Sequence, residues 1–107
     1  MAEIRVTVNY RQVPGGKVQV DVNPRVAKVN QGDVVQFTRG GTAPGKMKIT
    51  FERGLFSKDA LDGDGPITVA VKLRARTTYR CELFDDKGIL LGSADGAAGG
   101  AFEPAGN

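Results

Sequence analysis

Ile4-Arg5-Val6-Thr7-Val8-Asn9, the turn Val13-Pro14-Gly15-Gly16, and Lys17-Val18-Gln19-Val20-Asp21-Val22 decide the fold class between them. In both flanking runs an apolar residue returns at every second position, which places Ile4, Val6 and Val8, then Val18, Val20 and Val22, on one face of an extended chain. Between the runs, proline presets one backbone dihedral and glycine accepts a positive one, so the chain reverses.

The same alternation extends along the rest of the sequence. Pro24 interrupts it, a short strand is expected at Val26–Val29, and Gln31-Gly32-Asp33 reads as a tight turn. Val34-Val35-Gln36-Phe37-Thr38 follows, with Val35 and Phe37 inward. A loop over residues 39–45 leads to Met47, Ile49 and Phe51, which alternate with Lys46, Lys48, Thr50 and Glu52. Residues 55–66 read as the longest irregular stretch, with Ser57-Lys58-Asp59-Ala60-Leu61 as one helical turn. Ile67, Val69, Val71 and Leu73 then alternate with polar or small residues, Tyr79, Cys81 and Leu83 with Arg80, Glu82 and Phe84, and a last strand covers residues 89–93.

Seven to eight short strands at regular spacing, each with one apolar face, predict an all-β chain folded as an antiparallel Greek-key sandwich of two sheets. Residues 1–93 form its single domain, and residues 94–107 read as a flexible Gly/Ala-rich tail anchored at most by Phe102.

At 107 residues the chain has room for one domain, and its 40% hydrophobic content fills one core without a metal or disulfide staple. Cys81 is the only cysteine, so no intramolecular disulfide forms. The absence of histidine excludes histidine triads, histidine-ligated zinc and imidazole proton shuttles. Without tryptophan, and with only Tyr10 and Tyr79, a sugar-stacking platform is equally poorly supplied. The net charge of +3 is uneven: residues 1–53 carry nine bases against four acids, and residues 54–107 six against eight. That excess is far short of a dedicated nucleic-acid stripe. No run approaches the roughly 18–20 apolar residues of a membrane span, and the amino terminus lacks a signal-peptide core. A soluble protein is therefore expected, cytoplasmic if the amino terminus is native and periplasmic or secreted if an export signal has been removed.

Two segments carry a family resemblance. Val22-Asn23-Pro24, Val26, Val29 and Gly32-Asp33-Val34-Val35-Gln36-Phe37 resemble the early strands of the cupredoxins, the small blue-copper β-sandwiches. Tyr79-Arg80-Cys81-Glu82 with Gly88 and Gly92 is similar to their copper-loop segment, and the likeness spans residues 4–93. The resemblance implies a thiolate at Cys81, one imidazole three positions later where Phe84 stands, and a second near Gly45 or Lys46. Ile89 stands near the place of the axial methionine. A type-1 centre needs two imidazoles and a thiolate, so this sequence is expected to keep the scaffold without the copper and to use no cofactor. Cys81 then reads as a buried structural thiol; with Met47 it offers Cu(I) only two soft ligands. The Tyr79-x-Cys81 spacing also fits strand F of an immunoglobulin-like sandwich, the alternative fold, where the tyrosine hydroxyl ties a corner to backbone.

Three other constellations are weaker. Gly40 to Lys46 has the glycines and lysine of a phosphate loop, but Met47 stands where a hydroxyl should hold magnesium, and a strand follows where a helix is needed. Asp59, Asp62 and Asp64 lack the spacing and terminal glutamate of a calcium loop. Asp85-Asp86-Lys87-Gly88 reads as a hairpin turn, where neither carboxyl is desolvated for acid–base work.

What remains is a non-catalytic protein-interaction or structural module whose partner is another protein. Its contacts are expected from loops 39–46, 54–66 and 84–89, with Leu55, Phe56 and Phe84 as the apolar candidates. The alternative is binding of nucleic acid or another polyanion through outward Lys46, Lys48, Lys72 and Arg74. A cupredoxin-like topology would put the Lys46/Lys48 strand and the Lys72 strand in different sheets, dividing that charge. The oligomeric state is open at this level.

Overall fold

The computed structural model describes residues 2–15, 17–52, 60–62, 66–72, 76–94 and 99–105. They form ten strands and no helix: β1 (Glu3–Gln12), β2 (Val18–Asn23), β3 (Val26–Val29), β4 (Val34–Gly41), β5 (Lys46–Phe51), β6 (Ala60–Asp62), β7 (Ile67–Ala70), β8 (Thr77–Phe84), β9 (Leu90–Ala94) and β10 (Gly100–Pro104). One sheet has the order β2-β1-β4-β7; the other has the order β3-β10-β8-β5-β6, with β9 also paired to β8. The expected all-β, two-sheet sandwich is what the chain forms. Its sheets are mixed rather than antiparallel, because β1 runs parallel to β4 and β3 parallel to β10. A two-residue turn joins antiparallel neighbours only, so each parallel pair requires a long crossover, and nothing local in the sequence announces one.

Between the sheets lie the inward alternates: Val6, Val8, Val35, Phe37, Met47, Ile49, Cys81 and Leu83 are essentially inaccessible. Phe37, Phe51, Tyr79 and Phe102 make an aromatic knot, with Tyr79 stacked on Phe102 at 5.1 Å and Phe37 edge-on to both. Tyr10, buried from the opposite sheet, donates its hydroxyl to the Glu82 carbonyl at 3.2 Å and so links β1 to β8.

Four expectations need correction. Residues 100–104 are not a mobile tail: β10 pairs with β8 and β3, and Phe102 is fully buried. Gly100 faces Tyr79 so closely that any Cβ there would strike the phenol ring, so the glycine that suggested mobility is what lets the strand approach. Ala60 and Leu61 are strand, not helical turn, and pair with Thr50 and Ile49; residues 57–59 lie outside the described residues. Arg39, Gly40 and Gly41 are not loop but the end of β4, in register with Val8, Asn9 and Tyr10. Finally, the Tyr79 hydroxyl is buried with no hydrogen-bond partner among the described residues. It therefore does not tie the corner that the immunoglobulin-like alternative assigned to it, and that alternative also calls for two antiparallel sheets.

Among the described residues no helix is long and apolar enough to cross a membrane.

Candidate functional site

The positions singled out by the resemblance converge at one end of the sandwich. Lys46 opens β5 directly opposite Phe84 at the close of β8, and Phe84 is in turn opposite Leu90 of β9. Gly45, with φ of +139°, sits so close to the Phe84 carbonyl and the Leu83 side chain that an added Cβ would lie 2.8 Å and 2.9 Å from them. The places of the two family imidazoles are thus neighbours, occupied by glycine or lysine on one strand and phenylalanine on the other.

Cys81 does not join them. It pairs with Ile49, three residues inward from the Lys46–Phe84 pair, or about 10 Å along a strand. Its side chain is fully buried, and burial, helped by the neighbouring Glu82 charge, pushes the thiol up to about 12. Met47 is opposite Leu83, so Met47 and Cys81 are diagonal neighbours rather than a facing pair. No cluster of three or more His, Cys, Asp or Glu side chains able to hold a metal occurs among the described residues. Copper of the blue type does not fit these residues: the imidazoles are lacking and the thiol is displaced inward.

What this end offers is a held, partly apolar surface. The loop between β4 and β5 is fixed by Arg39, whose guanidinium donates to the Ala43 and Gly45 carbonyls while lying over the Tyr10 ring at 5.3 Å. The Ala43 amide donates to the Tyr10 carbonyl at 3.1 Å. The turn between β8 and β9 is tied by Asp85, whose Oδ1 accepts the Lys87 and Ile89 amides at 2.9 and 2.8 Å. Backbone bonds from Asp85 to Ile89 and from Gly88 to Asp85 complete it. Between the two loops opens a cleft of about 410 Å³ lined by Pro44, Gly45, Lys46, Asp85, Asp86 and Leu91. Where the turn enters β9, Ile89 and Leu90 are 58% and 48% exposed, and Leu90 lies opposite Phe84.

The candidate residues from the sequence are therefore divided. Lys46 and Phe84 meet here. Leu55, Phe56 and Arg74 lie outside the described residues. Lys48 projects from the same sheet between Glu82 and Asp62, its register partners on either side, while Lys72 follows β7 in the other sheet. Pro44 and Ile89 fall within the expected contact loops 39–46 and 84–89 but are not among the apolar candidates, and Leu90 lies just beyond them. The sequence places Ile89 and Leu90 in a last strand over residues 89–93; β9 begins at Leu90, and both side chains are exposed. A second cleft, lined by Asn9, Arg11, Asp21, Gly41 and Thr42, lies on the outer side of the other sheet and has no counterpart in the sequence expectations.

No protein-family model matches the chain, and no curated protein matches it in sequence.

Proposed function

We propose that the chain is a non-catalytic protein-interaction module on a cupredoxin-like sandwich, with the end around Phe84 and Lys46 as its contact surface. Support for the scaffold comes from two placements. The resemblance requires the Lys46/Lys48 strand and the Lys72 strand to belong to different sheets, and β5 and β7 do. It also requires residues 45–46 and 84 to be neighbours, and they are. With no histidine in the chain, such a scaffold has no copper to carry.

One observation carries the functional reading: of the three large hydrophobic side chains exposed among the described residues, two, Ile89 and Leu90, are consecutive at the entry to β9, and Leu90 is in register with Phe84. Large exposed apolar side chains grouped beside polar ones are the ordinary mark of a contact surface, whereas the same residues scattered singly need no explanation. The loops that present them are tied by Arg39 and Asp85, so little order remains to be imposed on binding.

The test is affinity capture from the native host's extract with the wild type and with Leu90→Asp, both checked for the same thermal unfolding. Proteins recovered by the wild type should be lost with Leu90→Asp. Recovery of the same set by both would end this assignment.

A further inference from the structure

We propose that the outer face of the β2-β1-β4-β7 sheet binds an extended, uncharged glycan chain, one end of it held in the cleft at Asn9, Asp21 and Arg11. This surface belongs to the opposite sheet from Phe84 and Lys46, and its reading stands independently of theirs.

Three successive ladder rows make the face. Gln36 and Thr68 share the first, Asn23, Thr7 and Thr38 the second, and Asp21, Asn9 and Gly40 the third. Each row lies about 7 Å beyond the last, two residues along the strands. Arg5 also falls in the first row, where Glu3 pairs with it at 3.2 Å. Among the described residues no internal bond engages the side chains of Thr7, Asn9, Asp21, Asn23, Gln36 or Thr38. The outer face of the other sheet differs: there Arg76, Thr78 and Arg80 are each bonded to a glutamate. Threonine is an ordinary outward strand residue, but asparagine is depleted from strands, and both Asn9 and Asn23 stand here.

The third row borders the cleft of about 390 Å³ lined by Asn9, Arg11, Asp21, Gly41 and Thr42. Any Cβ at Gly40 would strike Asn9 Oδ1, so the amide rests over that glycine. Arg11 donates to the Gln19 amide oxygen rather than to Asp21, which leaves the carboxylate open.

The ligand class follows from these groups. Amides and hydroxyls both donate and accept, as sugar hydroxyls do. A charged ligand laid along the uncharged rows would lose hydration and meet no countercharge. In the cleft, one carboxylate and one guanidinium offer acceptors and a fork of donors to neighbouring hydroxyls. Tyr10 and Tyr79 are buried, so neither ring stacks on the sugar and hydrogen bonds carry the contact. Binding should therefore be weak and should tighten with chain length.

The experiment is a nuclear magnetic resonance titration of the nitrogen-15-labelled full chain with cellohexaose and with xylohexaose, both extended and neutral. Amide signals of β1, β2 and β4 around Thr7, Asn9, Asp21 and Thr38 should move and saturate with a Kd near about 1 mM. Cellobiose should bind about fivefold or more weakly than cellohexaose, since it spans fewer rows. Asp21→Ala and Thr38→Lys, with amide spectra confirming the fold, should each weaken cellohexaose by about tenfold.

The proposal is overturned if neither hexamer shifts these signals at several times that concentration, or if the shifts fall on β5 and β8 instead. Two folded variants that bind as well as the wild type also overturn it. So does hexagalacturonate, an anionic chain of the same length, if it moves the same signals at lower concentration than the neutral hexamers.

Discussion

Asp33 shows how one residue can hold three parts of the chain together. Only 5% exposed, it accepts the Ala2 amide at 3.0 Å on one oxygen and the Asn30 amide at 2.8 Å on the other. Its own carbonyl receives the Val71 amide at 2.9 Å. Hydrogen bonds from the two backbone amides, first Ala2 and then Asn30, hold the carboxyl below its usual value of 3.8. A carboxylate depressed on folding contributes stability that is present above the unfolded pKa and lost as pH falls through the folded one. Asp33→Asn is therefore expected to unfold at lower urea than the wild type at pH 7, because an amide presents one acceptor and turns a donor toward the other N–H. The difference should shrink as pH falls below 3.8, measured by urea midpoints across that range. An equal gap at pH 7 and at about pH 2.5 would show that the ionised carboxylate is not the stabilising form. Gly32-Asp33 was legible as a turn because a turn is local. The attachment to Ala2 and Val71 was not, because it depends on segments that sequence proximity does not bring together.

Strand alternation read well wherever one face is buried and the other wet. β2 and β3 fall on either side of Pro24 as expected, and β5 and β8 bury the anticipated Met47, Ile49, Tyr79, Cys81 and Leu83. β10 did not read as a strand, since Gly99, Gly100 and Ala101 carry none of the β-branched bulk on which alternation depends. The smallness of Gly100 is a response to a neighbour: the Tyr79 ring occupies the space a larger side chain would need. Phe102 then enters the aromatic knot beside Phe37 and Tyr79. Replacing it with alanine removes a fully buried ring from the centre of the sandwich and should cost about 3–5 kcal/mol. That is a large part of the roughly 5–15 kcal/mol that holds a typical domain together. Denaturant unfolding of Phe102→Ala measures it directly. A change within about 0.5 kcal/mol, the usual result for a surface position, would mean that residues 100–104 are an appendage after all.

Across the whole molecule, bases and acids are interleaved. Lys28 is in register with Glu103, Arg76 bonds Glu103 at 3.3 Å, Arg80 bonds Glu82 at 3.2 Å, and Lys48 lies between Glu82 and Asp62. On the other sheet Arg5 pairs with Glu3 at 3.2 Å. Lys46 stands apart, opposite Phe84, which is why it belongs to the apolar end and not to a basic face. The sequence already contained the charges and their outward positions. Cross-strand register, which decides what sits beside each base, is a property of the assembled sheets, and so the sequence could place Lys46 and Lys48 outward but not tell that one faces Phe84 and the other Glu82 and Asp62. The same interleaving bears on polyanion binding. Each phosphate neutralised on duplex DNA contributes about −0.9 to the slope of log K against log salt. With Lys46 and Lys48 on one sheet and Lys72 joined to the other, a duplex laid on one face meets two of these lysines, and the slope should be about −2 or shallower. Lys48→Glu removes one of those two contacts and should flatten the slope by about 0.9. A fluorescence titration over a range of salt concentrations decides the matter. A slope steeper than about −4 would require bases from both sheets to converge on one partner, and the polyanion reading would displace the apolar end as the site that matters.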